Sequence, residues 1–78
     1  MTTPYRIKIA PAAQKQIRAI EPKMQKQILK LIDALAINPR PPGTEKIEGM
    51  TGLYAESVNR FRLIYKIDEQ DILVLLVK

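Results

Sequence analysis

The length of 78 residues predicts one small domain. The chain has 13 Lys or Arg and 8 Asp or Glu, and its net charge of +5 favours a polyanionic partner. It contains no cysteine and no histidine, which excludes disulfides, thiolate metal sites and imidazole acid–base chemistry. No segment approaches the roughly 20 apolar residues that span a bilayer, and no cofactor or metal motif is present, so we expect a soluble, cytoplasmic protein without cofactor, metal or membrane contact.

The N-terminal segment predicts one strand followed by a short helix. Residues 5–9 alternate apolar and basic side chains, which is typical of a half-buried strand. Pro11 suits the first turn of a helix, because its fixed φ is helical and its missing N–H would be unpaired there in any case. The buried side of this helix is expected to consist of Ala13, Ile17 and Ile20.

A second, longer helix is predicted from Pro22 to about Ile37. The break before it arises because a proline disfavours the helical conformation of the residue that precedes it. Apolar residues at helical spacing predict a buried stripe with Leu31 near its middle. The stripe comprises Met24, Ile28, Leu31, Ile32, Leu35 and Ala36. Residues 38–43, with three prolines and a glycine, end this helix, and the two helices are expected to form a hairpin.

The second half of the chain predicts extended segments joined by turns. They are a short strand or extended arm at 45–49, a turn at 50–52, a strand at 53–58, a bend at Asn59, a basic strand at 60–67, a hairpin at 68–71 and an apolar central strand at 72–77. The predicted order is β-α-α-β-β-β, in which a helical hairpin packs on an antiparallel three-strand meander. This is an α+β fold.

The basic strand carries the leading candidate site. Side chains of a strand alternate between faces, so Arg60, Arg62 and Lys66 are expected on one face. Three neighbouring cations repel one another and require an anion. That anion is either a nucleic-acid phosphate or a carboxylate, because the N–H donors of arginine match the oxygens of both groups. The carboxylate would come from Glu48, Glu56 or an acidic partner.

Other candidate binding residues lie outside this strand. Lys23, Lys26 and Lys30 share one helical face, which is either a solvated surface or a salt-sensitive contact with RNA or the ribosome. Tyr54 either stacks on bases or fills the edge of the core, and Lys46 is a further candidate for RNA contact. No pair of acidic residues has the spacing of a carboxylate dyad or a metal site.

Three motifs in the same order carry a resemblance to a known family. They are NPRPPG at 38–43, EGMTGLY at 48–54 and RFRLIY at 60–65. Together with the remaining pattern along residues 1–78, they closely resemble the RelE branch of the RelE/ParE toxin superfamily. The resemblance implies a single toxin domain, an acidic cognate antitoxin in an oligomeric complex, and metal-independent cleavage of messenger RNA in the ribosomal A site.

The resemblance also implies which residues act. A nuclease without histidine must use lysine, arginine or tyrosine, together with electrostatic stabilisation of the transition state. Arg62 matches the arginine of the family's basic strand and is the catalytic candidate. Family members carry basic residues where this chain has Ala55 and Ser57, and they continue past the last strand into a basic segment ending in tyrosine, which is absent after Lys78. We therefore expect impaired cleavage.

Two other functions remain open on the sequence. A ParE-like inhibitor of DNA gyrase would share the fold but would not cleave RNA, and the EGMTGLY and RFRLIY motifs favour RelE over it. A catalytically inactive module that binds the antitoxin is the other alternative, and the absence of the family's C-terminal segment after Lys78 favours it.

Overall fold

The computed structural model describes residues 4–49 and 52–78 and contains two helices and five strands in this part of the chain. The elements in chain order are β1 (Arg6–Ile9), α1 (Pro11–Arg18), α2 (Pro22–Leu35), β2 (Glu45–Lys46), β3 (Leu53–Val58), β4 (Phe61–Asp68) and β5 (Asp71–Val77). The predicted turn at 50–52 falls partly outside the described residues, and Gly52 lies in a turn. The α+β class and the order of the predicted elements are confirmed.

Both helices begin at a proline, as predicted. No side chain caps either N-terminus, so the proline at the first position, which lacks an N–H, is the local device that starts each helix. The end of α1 is held by α2, because the Gln25 amide donates hydrogen bonds to the carbonyl oxygens of Ile20 at 2.7 Å and Arg18 at 3.2 Å. These bonds satisfy carbonyl groups that have no partner within the helix, and they fix the helical hairpin.

The five strands form one mixed sheet in the order β1-β5-β4-β3-β2. Strands β2 to β5 form an antiparallel meander, and β1 is parallel to β5, with Ile7 opposite Ile72. The meander therefore has one more strand than predicted, because the segment expected as a strand or arm pairs with β3 over two residues. The register shifts between Ile64 and Tyr65, which leaves Leu75 unpaired on β5.

The helices cover one face of the sheet and form the core with it. The buried core residues are Ala13, Ile17, Ile28, Ile32 and Leu35 from the helices and Leu63, Tyr65, Ile72, Val74 and Val77 from the strands. We call this side of the sheet the covered face. The α2 stripe differs from the prediction in its centre, since Ile28, Ile32 and Leu35 are buried whereas Leu31 is half-buried at the margin.

Arg60 is a further correction. It was expected on the basic strand, but it lies in the turn between β3 and β4, where Val58 pairs directly with Phe61. A connection of two residues is the common hairpin length, and Asn59 takes the positive φ of 54° that such a tight turn requires. The guanidinium of Arg60 lies over the Phe61 ring, 5.4 Å from its centroid.

Candidate functional site

The face of the sheet opposite the helices is covered by none of the described elements, and we call it the open face. The strand registers assign its residues in rows that run across neighbouring strands. The rows are Arg6, Asp71 and Asp68; Lys8, Leu73, Lys66 and Leu53; Leu76, Ile64, Ala55 and Glu45; and Arg62 with Ser57. Cations, carboxylates and half-buried apolar side chains therefore share this surface.

Arg62 lies on the open face, as the alternation predicts, and it has a partner. It stands opposite Ser57 on β3, and its Nη2 lies 2.7 Å from Oε2 of Glu45 on β2. The guanidinium thus reaches across the whole width of β3. The carboxylates predicted as possible partners were Glu48, Glu56 or those of an acidic partner; the structure corrects this to Glu45, because the short strand β2 brings Glu45 to the same face.

The two positions that would carry further cations in the RelE pattern lie beside this ion pair. Ala55 is between Glu45 and Ile64 in one row, and Ser57 is directly opposite Arg62. Both belong to the open face, so lysines there would stand next to Arg62. The chain instead has a buried alanine and an exposed serine, which leaves Arg62 as the one cation in this corner of the described face.

Lys66 lies on the open face in a row with Lys8 of β1, and Leu73 of β5 separates them. Both lysines line a shallow depression together with Leu73 and the carboxylates Asp68 and Asp71. Neither lysine forms an ion pair with any residue in 4–49 or 52–78. Lys8 was not among the predicted site residues, because the alternation at 5–9 predicts a half-buried strand but not its parallel pairing beside β5.

A second ion pair lies at the end of this depression. Nε of Arg6 is 2.8 Å from Oδ1 of Asp71, which is its register partner on β5. The pair holds the N-terminal edge strand to its neighbour and neutralises one cation of the open face. The unpaired positive charge of the described open face is therefore at Lys8 and Lys66 rather than at Arg62.

Tyr54 and Lys46 are not on the open face. They are register partners, and Tyr54 also pairs with Tyr65 of the covered face. The Tyr54 ring stacks on Tyr65 with centroids 6.1 Å apart, and the guanidinium of Arg40 lies 5.3 Å from its centroid. Its ring is thus already in contact with two side chains, which favours the interpretation of Tyr54 as the edge of the core.

The proline-rich segment after α2 is fastened to this edge. The hydroxyl of Tyr65 donates a 2.8 Å hydrogen bond to the carbonyl of Pro39, and the hydroxyl of Thr44 lies 2.7 Å from the Glu56 carboxylate. Burial raises the pKa of the Tyr65 phenol above its ordinary value, so the phenol stays neutral and donates. These bonds direct the chain into β2 and so determine where Glu45 lies.

Lys23, Lys26 and Lys30 are exposed on α2, as predicted. Because α2 packs on the covered face, these lysines lie on the opposite side of the sheet from Arg62 and Lys66. The candidate residues therefore do not form one site. They divide into the open face, the Tyr54 edge with Lys46, the β3–β4 turn with Arg60, and the helical surface.

Two further properties concern the described residues as a whole. No group of three or more acidic side chains comes close enough together to hold a metal ion in the part of the chain that the structure describes. Neither described helix is long and apolar enough to cross a membrane.

Comparison with known proteins places the chain in a family. The model of a family described as the ParE toxin of the type II toxin-antitoxin system, parDE, matches residues 7–78. The structure is similar to the archaeal RelE of the RelE–RelB complex from Pyrococcus horikoshii OT3, with a TM-score of 0.86 and 26% identity over 99% of this chain and 94% of that chain. A search of curated proteins returned no significant match.

Two other solved structures extend this likeness. The toxin of the intact E. coli RelBE complex gives a TM-score of 0.80 and 26% identity, covering 94% of this chain and 93% of that chain. The YoeB dimer from Staphylococcus aureus gives 0.79 and 27% identity, covering 95% and 94%. The fold is thus that of the RelE/ParE toxin superfamily. The chain belongs to the ParE toxin family of type II toxin–antitoxin systems, and the solved toxins that it resembles are of the RelE and YoeB type.

Proposed function

We propose that this chain is a RelE-type toxin that inhibits translation by ribosome-dependent cleavage of messenger RNA, and that its cleavage is weak. The likeness to RelE over nearly the full length of both chains is the observation that carries the proposal. Arg62 supplies the positive charge that stabilises the scissile phosphate in the transition state of cleavage. Ribosomes are cytoplasmic, so the toxin acts there.

The weak cleavage follows from the open face. Arg62 is paired with Glu45, and its neighbours at 55 and 57 carry no charge. Loss of one group that stabilises transition-state charge typically costs about 10²–10³ in rate, so two missing cations leave little catalysis. Binding to the ribosome depends less on that corner, because Lys66 on the open face and Lys23, Lys26 and Lys30 on α2 remain exposed.

The test measures cleavage of A-site messenger RNA and ribosome binding separately. We expect slow cleavage by the natural chain, none by Arg62→Ala, and a gain of about 10²-fold or more when Ser57→Lys is combined with Ala55→Lys. Ser57→Asn is the matched control at an exposed position without added charge. Rapid cleavage by the natural chain would contradict the weak-site proposal, and equal ribosome binding after Arg62→Ala would remove a phosphate contact from that residue.

The partner is an acidic antitoxin that covers the open face. Solved relatives are complexes of RelE with RelB, and the net charge of +5 with unpaired Lys8 and Lys66 provides the electrostatic complement. Complementary charge speeds association and is screened by salt. We expect the association rate to fall at least about tenfold between low and high salt, and an unchanged rate would exclude this steering.

A second candidate is inhibition of DNA gyrase, which the ParE description of the matching family model favours. Supercoiling by gyrase in the presence of the chain decides between the two. If the chain inhibits supercoiling and the Ser57→Lys, Ala55→Lys variant shows no ribosome-dependent cleavage, the function is gyrase inhibition. If the chain shows neither activity but binds the antitoxin tightly, the remaining function is that of a catalytically inactive module that binds the antitoxin.

A further inference from the structure

The ion pair between Arg62 and Glu45 joins two strands that are not neighbours. Arg62 is on β4 and Glu45 on β2, with β3 between them, and the Nη2 to Oε2 distance is 2.7 Å. Both side chains are solvent-accessible, with about half of Arg62 and two thirds of Glu45 exposed (52% and 67%). A guanidinium that could point into solvent instead reaches across β3 to a carboxylate.

The intervening strand explains how the two charges meet. Ala55 and Ser57 are the open-face residues of β3 beside the pair, and both are small. Ala55 is 2% exposed although no described helix covers it, so neighbouring side chains of the open face shield it. A long side chain at either position would occupy the path that Arg62 takes to Glu45.

Glu45 is also held from its own side. The backbone N–H of its neighbour Thr44 donates to the Pro41 carbonyl at 3.1 Å, and the Thr44 hydroxyl lies 2.7 Å from the Glu56 carboxylate, to which it donates its single proton. The N–H of Ile47 donates to the carbonyl of Leu53 at 3.0 Å. The backbone of β2 is therefore fixed on both sides of Glu45. An ion pair between two anchored strands loses less conformational entropy than one between mobile segments.

A carboxylate in this position competes with a phosphate. Arginine recognises both anions through the same N–H donors, so a phosphate that approaches Arg62 must displace Glu45 or share the guanidinium with it. We propose that Glu45 is a positioning residue for Arg62, which holds the guanidinium across β3 and thereby lowers the affinity of the open face for an RNA phosphate. This inference rests on the proposed function, because it takes RNA as the anion.

The experiment measures binding of a single-stranded RNA oligonucleotide that carries 2′-O-methyl groups and so cannot be cleaved. Fluorescence anisotropy at low salt compares the natural chain with Glu45→Gln and with Glu48→Gln. Glu48 is the matched control, because it is exposed, lies three residues away and forms no ion pair with the described residues. Both changes raise the net charge equally, but we expect Glu45→Gln to bind about two- to fivefold more tightly than Glu48→Gln, the range of an exposed ion pair.

The same pair of substitutions in an Arg62→Ala background separates positioning from a general charge effect. There the advantage of Glu45→Gln over Glu48→Gln should vanish, because no guanidinium remains to be released. An equal gain for both glutamates, or an advantage that persists without Arg62, would overturn the inference. So would undetectable RNA binding by Glu45→Gln, since a released arginine on this face should bind.

These outcomes are independent of catalysis. If the natural chain and its lysine-substituted variant fail to cleave messenger RNA on ribosomes, the proposed function is wrong, while an Arg62-dependent gain of Glu45→Gln would still support Glu45 as a competitor for anions. Thermal unfolding of each variant checks that the fold is retained, and Glu45→Gln should shift the midpoint little because the pair is exposed.

Discussion

The two faces of the sheet are built on different principles. The covered face meets the helices through side chains that are almost fully buried, such as Leu63, Tyr65 and Ile72, all at 1% exposure or less. The open face carries charged side chains that find partners on other strands, as Arg62 of β4 does with Glu45 of β2. Stability therefore depends mainly on one face, while the other is free to change its charge without loss of the fold. This difference explains how the positions beside Arg62 can lack cations in an intact toxin fold.

The largest expected effect is on the covered face. Ile32→Ala removes a side chain that is 2% exposed in the middle of the core, and it should lower the free energy of unfolding by about 2–5 kcal/mol. Leu31→Ala should cost less, because Leu31 lies at the margin of the stripe. Lys30→Ala, one residue further away on the exposed side, is the control and should change little. Denaturant unfolding of the three variants gives the order, and an equal loss of stability for Leu31→Ala and Ile32→Ala would contradict the placement of Leu31 at the margin of the buried stripe of α2.

A smaller effect is expected where the loop before β3 meets the sheet. Gly52 has a φ of +78°, and a Cβ there would lie 2.9 Å from the carbonyl oxygen of Ile67. Gly52→Ala should therefore cost about 1–3 kcal/mol of stability. Gly49→Ala is the matched control, because Gly49 has a φ of +80° but open space around it. It should lose only the stability that the positive φ costs a residue with a Cβ. Equal losses in urea unfolding would show that the close approach to β4 is relieved by a small shift.

Tyr65 tests the hydrogen bond that fastens the proline-rich segment to the sheet. Tyr65→Phe removes the hydrogen bond to the Pro39 carbonyl and should cost about 0.5–1.5 kcal/mol at neutral pH. Burial raises the pKa of this phenol in the folded state, so its contribution is complete below the ordinary value of 10.0 and is lost as the pH rises through the folded value. The natural chain should thus lose stability above about pH 10 more steeply than Tyr65→Phe. Parallel pH profiles of the two proteins would contradict this assignment.

The smallest effect on stability is expected at the open face. Arg62→Ala breaks an exposed ion pair and should change the free energy of unfolding by at most about 1 kcal/mol. The same substitution should abolish the residual cleavage that we propose. If Arg62→Ala lost as much stability as Ile32→Ala, the idea that the covered face stabilises the fold and the open face serves function would be wrong.

Several features of the fold could be predicted because they depend on local patterns. The prolines at 11 and 22 set the helix starts, and the alternation along β4 separated Arg62 and Lys66 from Leu63 and Tyr65. The site was less predictable. Its composition depends on which strands become neighbours, and strand order is decided by packing over distances that no short segment encodes.

The sequence by itself determined the class of fold, the buried side of the basic strand, most of the buried residues of the helices, and the resemblance to the RelE/ParE toxins, since these follow from hydrophobic periodicity, turn residues and motif order. Only the tertiary structure decided that Arg62 is paired with Glu45, 17 residues away, that Lys8 joins Lys66 across β5, and that Tyr54 and Lys46 belong to the other face. The physical reason is register: a shift of one residue in strand pairing moves a side chain to the opposite face, and the register of β1 and β2 is set by contacts with distant strands.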